Sequence, residues 1–547
     1  MTLMDSLARM EAFTTGRATA RALVRHRHLS ERPLVLVPLA AAGEAGVPLA
    51  ALVGTDRDAP RLLTVPQPRD QDLRAQFFTE LAEAMLPVLE SGLDHCEYEE
   101  RREIDPETGK RVTVEVELCA DAPQLLVPNA PGVEFVRLLG RATRFRRTAE
   151  QDPDQPYPAP AQVPLLGRWL THYAERARVP GSSLLLSVTE LLGRHWATGQ
   201  SGLEDQHLGV LLSWIDPTWA GDLAGASGAE TARAVELARD ERGQLLRPPA
   251  GPATDPAFDN RLLAPAIDRC DAARAAVRRA EDPDSAQRAR TALAREEAAV
   301  RELLGSQLRP TWDAVWHAVD LLRALPEAAH AEERWKRDRW SYTSHRDRVR
   351  SGEPPQPRRD DAVTAARKLA GRESALGQLE AQEALDDPLV MAGRRLVGEA
   401  FAGEVVAVEM AYSESNRPRP LVTLDSQDQP HLAPGARVYR KLPDGRSQTA
   451  EWVDCPRPGM WTLRLVNGMG RSREPSEGSV PVEGEWSCWT LFEHSVRSGP
   501  ELPEPEDTPW THGGPPDQGA EPPDPLPDSD PGPLTVRQVP SQEEERR

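Results

Sequence analysis

Residues 33–53 read Pro-Leu-Val-Leu-Val-Pro-Leu-Ala-Ala-Ala-Gly-Glu-Ala-Gly-Val-Pro-Leu-Ala-Ala-Leu-Val, the most apolar window of the chain. As one helix it is about long enough to span a bilayer. Glu44 at its centre and Pro33, Pro38 and Pro48 along its length argue against that. The uncharged run 33–43 is too short to cross. The window therefore predicts two strands and a turn, and no membrane.

The flanks fit the same reading. Leu3, Leu7, Met10 and Leu23 among charges predict helical structure over 1–30. Leu62–Val65 is a further β-like run. Asp70–Leu89 carries Leu73, Phe77, Leu81 and Leu89 near helical spacing. Ile104–Lys110 (Ile-Asp-Pro-Glu-Thr-Gly-Lys) is turn chemistry, with Pro106 fixing φ and Gly109 allowing φ > 0. After it Val112, Val114, Val116 and Leu118 alternate with Thr113, Glu115 and Glu117, a strand with one apolar and one wet face. Leu125–Val127 adds a strand and Gly132–Arg147 a helix. Residues 1–150 thus read as a small α+β domain.

Residues 151–163 are a proline-rich linker. Leu165–Ala177, Ser183–Trp196 and Leu203–Ile215 predict a helical domain over 163–245. After a second proline-rich break, 257–385 is rich in Ala, Arg, Glu and Leu, with Trp312, Val315, Trp316, Val319 and Leu322 in one stripe. It reads as long helices, a hairpin or stalk. Over 386–498 six β-like runs follow (396–408, 420–424, 436–442, 449–453, 460–466, 486–492), mostly at barrel or sandwich spacing. Pro434-Gly435, Asp444-Gly445 and Pro458-Gly459 supply turns. Residues 499–547 are proline-rich and acidic, with too few apolar groups to offset ordering. The predicted class is a multidomain α+β chain: small α+β domain, all-helical centre, small C-terminal β-barrel, disordered acidic tail.

The formal charge is −20, from 66 basic and 86 acidic residues. The tail contributes 12 acids and 3 arginines, a net of −9, so the remaining 498 residues carry −11. That sign argues against a general nucleic-acid coat, which needs a net basic surface. Only Lys110, Lys336, Lys368 and Lys441 are lysines. A GC-rich genome explains so strong an arginine bias, so arginine content alone does not signal phosphate binding. Cys96, Cys119, Cys270, Cys455 and Cys488 are odd in number and never spaced CxxC. They form neither a disulfide framework nor a zinc ribbon, and fit a reducing cytoplasm.

The phosphate loop GxxxxGK[ST], the dinucleotide GxGxxG, HExxH, GxSxG and SxxK are all absent. His26-Arg27-His28 places its imidazoles about 200° apart on a helix, which suits a solvated basic end better than a metal. No cofactor, metal or catalytic residue is assigned. Should the N-terminal domain hold an enzyme site, Glu115 and Glu117 on one strand face, with Arg137, are the first candidates.

Three stretches are candidate binding features. Arg137, Arg141 and Arg144 share a helical face in a run of five arginines without an acid, and can grip phosphates; the competing reading is a helix end favouring its own dipole. Trp335, Arg339 and Trp340 interleave aromatics and cations as single-strand binders do; the competing reading is a packed helix with wet charges, favoured by Glu332, Glu333, Asp338 and Asp347. Thr508-Pro509-Trp510-Thr511-His512 puts one tryptophan in the acidic tail, as a docking peptide for a protein partner does; the competing reading is an incidental linker residue.

Ala402-Gly403-Glu404-Val405-Val406-Ala407-Val408, Pro420–Leu424 and Leu432-Ala433-Pro434-Gly435-Ala436-Arg437-Val438, preceded by long helices, resemble the stalk and accessory barrel of superfamily 1 helicases. The likeness covers about a fifth of the chain and lacks the motor. It implies a nucleic-acid or helicase-associated accessory role. The sequence therefore leads us to expect a cytoplasmic, non-enzymatic scaffold with unidentified protein partners. The alternatives are direct nucleic-acid binding or an enzyme site in the N-terminal domain.

Overall fold

The computed structural model describes residues 3–42, 46–104, 111–249, 251–433 and 435–495. The turn at 105–110, Glu44, Pro434 and the tail with Thr508–His512 lie outside the described residues. Among those described, no helix is long and apolar enough to cross a membrane.

The 33–53 window is an antiparallel pair of strands, Leu34–Ala40 and Pro48–Gly54. Arg61–Thr64 continues the meander, while Leu125–Val127 and Leu185–Ser187 add in parallel on the other side. The order is 61–64, 48–54, 34–40, 125–127, 185–187. Both faces are covered, which is why these strands read as continuous apolar runs. Val35, Val37 and Leu39 point into one core with Trp312, Val315, Trp316 and Leu211. Leu34 and Leu36 point into the other, with Phe77, Val136, Trp169 and Tyr342.

The expected helix over 1–30 is instead Leu3–Thr15. It stops where Gly16 takes φ 66° and its N–H bonds Ala12 O. The expected helix Ser183–Trp196 is a strand, Leu185–Ser187, followed by a helix, Val188–His195, capped by Ser187. Leu184–Leu186 are buried because this strand completes the sheet. The segments read separately as 1–150, 163–245 and 257–385 therefore share two cores.

Helix Pro283–Arg323 starts at an Asp282/Ser285 capping box. Its first half pairs with helix Ala264–Arg279 as a hairpin, and its second half buries the Trp312–Leu322 stripe under the sheet. Helix Ala331–Arg350 runs through the opposite core. Its buried face is polar: Arg334, Asp338, Arg339, Thr343, His345 and Arg346 lie beside Trp335 and Tyr342. Asp338 is tolerated there because Arg176 (2.7 Å), Ser182 Oγ (2.8 Å) and the Ser183 N–H (2.6 Å) all donate to it.

The C-terminal strands Ala400–Glu409, Leu421–Asp425, Arg437–Lys441, Ser447–Asp454, Met460–Leu465 and Trp486–Thr490 close into a six-stranded barrel around Phe401, Val422, Leu463 and Trp489. Gly403 lies against the neighbouring strand so closely that a Cβ there would meet Asp425 O at 2.2 Å. Only glycine lets the strands approach so far.

Candidate functional site at the root of a β-ribbon

Strands Cys96–Ile104 and Arg111–Cys119 pair antiparallel as a two-stranded sheet separate from the main one. Along Arg111–Glu117 every residue is exposed or half-exposed, on both strand faces. Opposite them Tyr98 is 70% exposed.

Helix Ala331–Arg350 anchors the ribbon. Arg339 pairs with Glu97 (2.5 Å) and donates to Ala120 O (2.7 Å), and Lys336 pairs with Glu99 (2.5 Å). Arg346, wholly buried, donates to Glu117 (2.9 Å), Cys96 Sγ (2.9 Å) and Cys119 Sγ (3.5 Å). Burial pulls its pKa down, but Asp347, Cys119 and Glu117 outweigh that, and the guanidinium is held above its ordinary value. Hydrogen bonds from Cys96 and Arg346 hold the Glu117 carboxyl below its usual range. The Cys96 thiol is pushed up to about 11 by burial, then by Glu117 and Cys119. Between ribbon and helix lies a groove of about 560 Å³ lined by Glu99, Glu100, Lys336, Trp340, Ser341 and Ser344.

The sequence candidates fall as follows. Trp335 is interior, its indole N–H on Asp121 (3.1 Å) and its ring stacked on His28 at 4.3 Å. Arg339 is committed to the ribbon root, and Trp340 lines the groove. These three do not form one open face. Of the arginine face, Arg137 is paired with Glu134 on its own helix, and Arg144 is buried with its guanidinium on Gln356 O (3.0 Å) and Pro357 O (3.3 Å). Burial holds Arg144 below its ordinary pKa. Arg141 is the exposed member. Of the carboxylates, Glu117 belongs to the Arg346 cluster, while Glu115 stands opposite Glu100 as a direct cross-strand partner.

Open α/β sheets bind ligands beyond the carboxyl ends of their parallel strands. Here segment 251–254 lies across that position: Ala40 N–H donates to Pro252 O (2.6 Å), Thr254 N–H to Ala40 O (3.0 Å), and Asn129 Nδ2 to Gly251 O (2.7 Å). Among the described residues no group of three or more His, Cys, Asp or Glu gathers as a metal site.

Sequence reading missed the Cys96/Cys119 pair. Its signal was the turn: pairing Ile104 with Arg111 and stepping outward puts 96 opposite 119. No family model, curated protein or solved structure matches the chain.

Proposed function

We propose that the chain is a non-enzymatic scaffold or accessory protein of the cytoplasm, attached to a nucleic-acid-processing assembly, and that ribbon 96–119 is the element that holds a protein partner. The observation that carries this reading is a sheet of two strands with Arg111–Glu117 open on both faces. An isolated pair of strands is marginal alone, and its edge backbone groups are a template for a further strand. The ribbon strands hold six glutamates against three arginines. Glu100 and Glu115 face each other directly, a repulsion that an added cation relieves. The partner is therefore an extended protein segment bearing arginine or lysine. One cationic side chain enters the groove beside Glu100, where opposite charge holds it.

The test places a photo-crosslinking residue at Thr113 of the full chain in its native host. The expected result is one recurrent protein adduct, reduced at least tenfold by Glu100→Lys with Glu115→Lys while the melting curve is unchanged. No adduct, or an adduct indifferent to the reversed charges, overturns the reading.

A further inference from the structure

Cys96 and Cys119 are register partners across the ribbon. The next pair outward, His95 and Ala120, is hydrogen-bonded, with Ala120 N–H on His95 O at 2.8 Å. Antiparallel ladders alternate, so the cysteines occupy a non-hydrogen-bonded position, where facing side chains approach most closely. The Cys119 N–H accordingly turns away and donates to Thr343 Oγ1 at 3.0 Å. The two free thiols stand with their sulfurs 3.8 Å apart. Cα atoms in such pairs lie about 4.5 Å apart, inside the span a disulfide bridges. A disulfide needs the sulfurs to close from 3.8 Å to about 2.05 Å. Cys119 is fully buried and Cys96 is partly open, so the two are unequal in access. Arg346 sets one guanidinium nitrogen against both sulfurs, where it favours a thiolate in either position.

We infer that Cys96 and Cys119 form a reversible dithiol–disulfide modification site, oxidised by small-molecule disulfides such as oxidised glutathione. Cys96 loses its proton to solvent and attacks one sulfur of the oxidant. The oxidant's S–S bond breaks, and one small thiol leaves and takes up a proton. Cys119 then loses its proton and attacks Cys96 Sγ. The mixed disulfide breaks and the second small thiol leaves. Two protein thiols are oxidised and one external disulfide is reduced to two thiols. Because burial, Glu117 and Cys119 push the Cys96 thiol up to about 11, it is protonated at neutral pH and the first step is slow. Its rate rises about tenfold per pH unit in that range, following the thiolate fraction. This inference goes beyond the scaffold reading and does not rest on it.

The experiment treats the full chain with oxidised glutathione at pH 7.5 and 8.5, quenches in acid, alkylates the remaining thiols and maps peptides by mass. The expected product joins Cys96 to Cys119, forms about tenfold faster at the higher pH and reverts with dithiothreitol. Cys119→Ala is expected to stop at a glutathione adduct on Cys96, and Cys96→Ala to leave Cys119 reduced. Full alkylation of both cysteines after oxidation, a wild-type adduct that never resolves, or linkage to Cys270, Cys455 or Cys488 instead would each overturn the site.

Discussion

His172 and His345 stack face to face, ring centroids 4.3 Å apart and planes within 12°, between helices Gln162–Ala177 and Ala331–Arg350. Trp169 meets His345 edge-on at 4.6 Å. Burial first, then Arg348 and Arg168, lowers His345 to about 3. Burial first, then His345, Arg176 and Arg348, holds His172 well below its ordinary value.

Both imidazoles are thus neutral in the folded chain, while the unfolded chain takes up protons near pH 6.5. Their stability contribution is complete above that pH and is lost as pH falls from 6.5 toward 3. His195, lowered to about 3, and His207, lowered to about 4, both chiefly by burial, act in the same direction. The unfolding free energy measured in urea is expected to fall between pH 6.5 and 4, with a limiting slope of about 1.4 kcal/mol per pH unit for each histidine kept neutral by the fold. His345→Phe should flatten that slope; an unchanged slope refutes the assignment.

Asp338→Ala leaves Arg176, Ser182 and the Ser183 amide without their shared acceptor. The expected loss is about 3–5 kcal/mol, the scale for breaking a buried charge pair. Glu134→Ala, which removes the surface partner of Arg137, should cost under about 1 kcal/mol. Chemical denaturation of the two variants side by side checks the contrast.

Trp489 is fully buried in the barrel core, with the Arg440 guanidinium 5.3 Å from its ring. Trp489→Ala should cost the barrel about 3–5 kcal/mol. Because the barrel core shares no residue with the other two large clusters, calorimetry should show one transition moving to lower temperature while the other stays. A single shifted transition would mean that the cores unfold together.

A fragment ending at residue 180 lacks strand Leu185–Ser187, helix Ala331–Arg350 and the Trp312 stripe. The sheet face that carries Val35, Val37 and Leu39 would be bare, and the other face would lose Leu185, Trp335 and Tyr342. It is expected to lack a cooperative melt, whereas residues 399–495, which hold all six barrel strands, should melt cooperatively.

The barrel was legible because each strand is local: alternation and Gly- or Pro-marked turns fix it without reference to distant sequence. The 33–53 strands were legible for the same reason. Leu185–Ser187 was not, because a short apolar run before a helix has the same texture as the helix itself. Helix Ala331–Arg350 was recognisable as a helix, but its burial was hidden. Arginine, aspartate and histidine signal water unless their partners are known, and those partners lie at Glu97, Glu117, Arg176 and Ser183. The same distance in sequence concealed the ribbon root.

The sheet that begins at Leu34 is sealed on one side by a helix that ends at Arg323. A ribosome adds about 5–20 residues per second, so roughly 15–60 seconds separate the emergence of the first strand from that of its cover. During synthesis the nascent Leu34–Ala40 segment must be shielded by something other than its own fold.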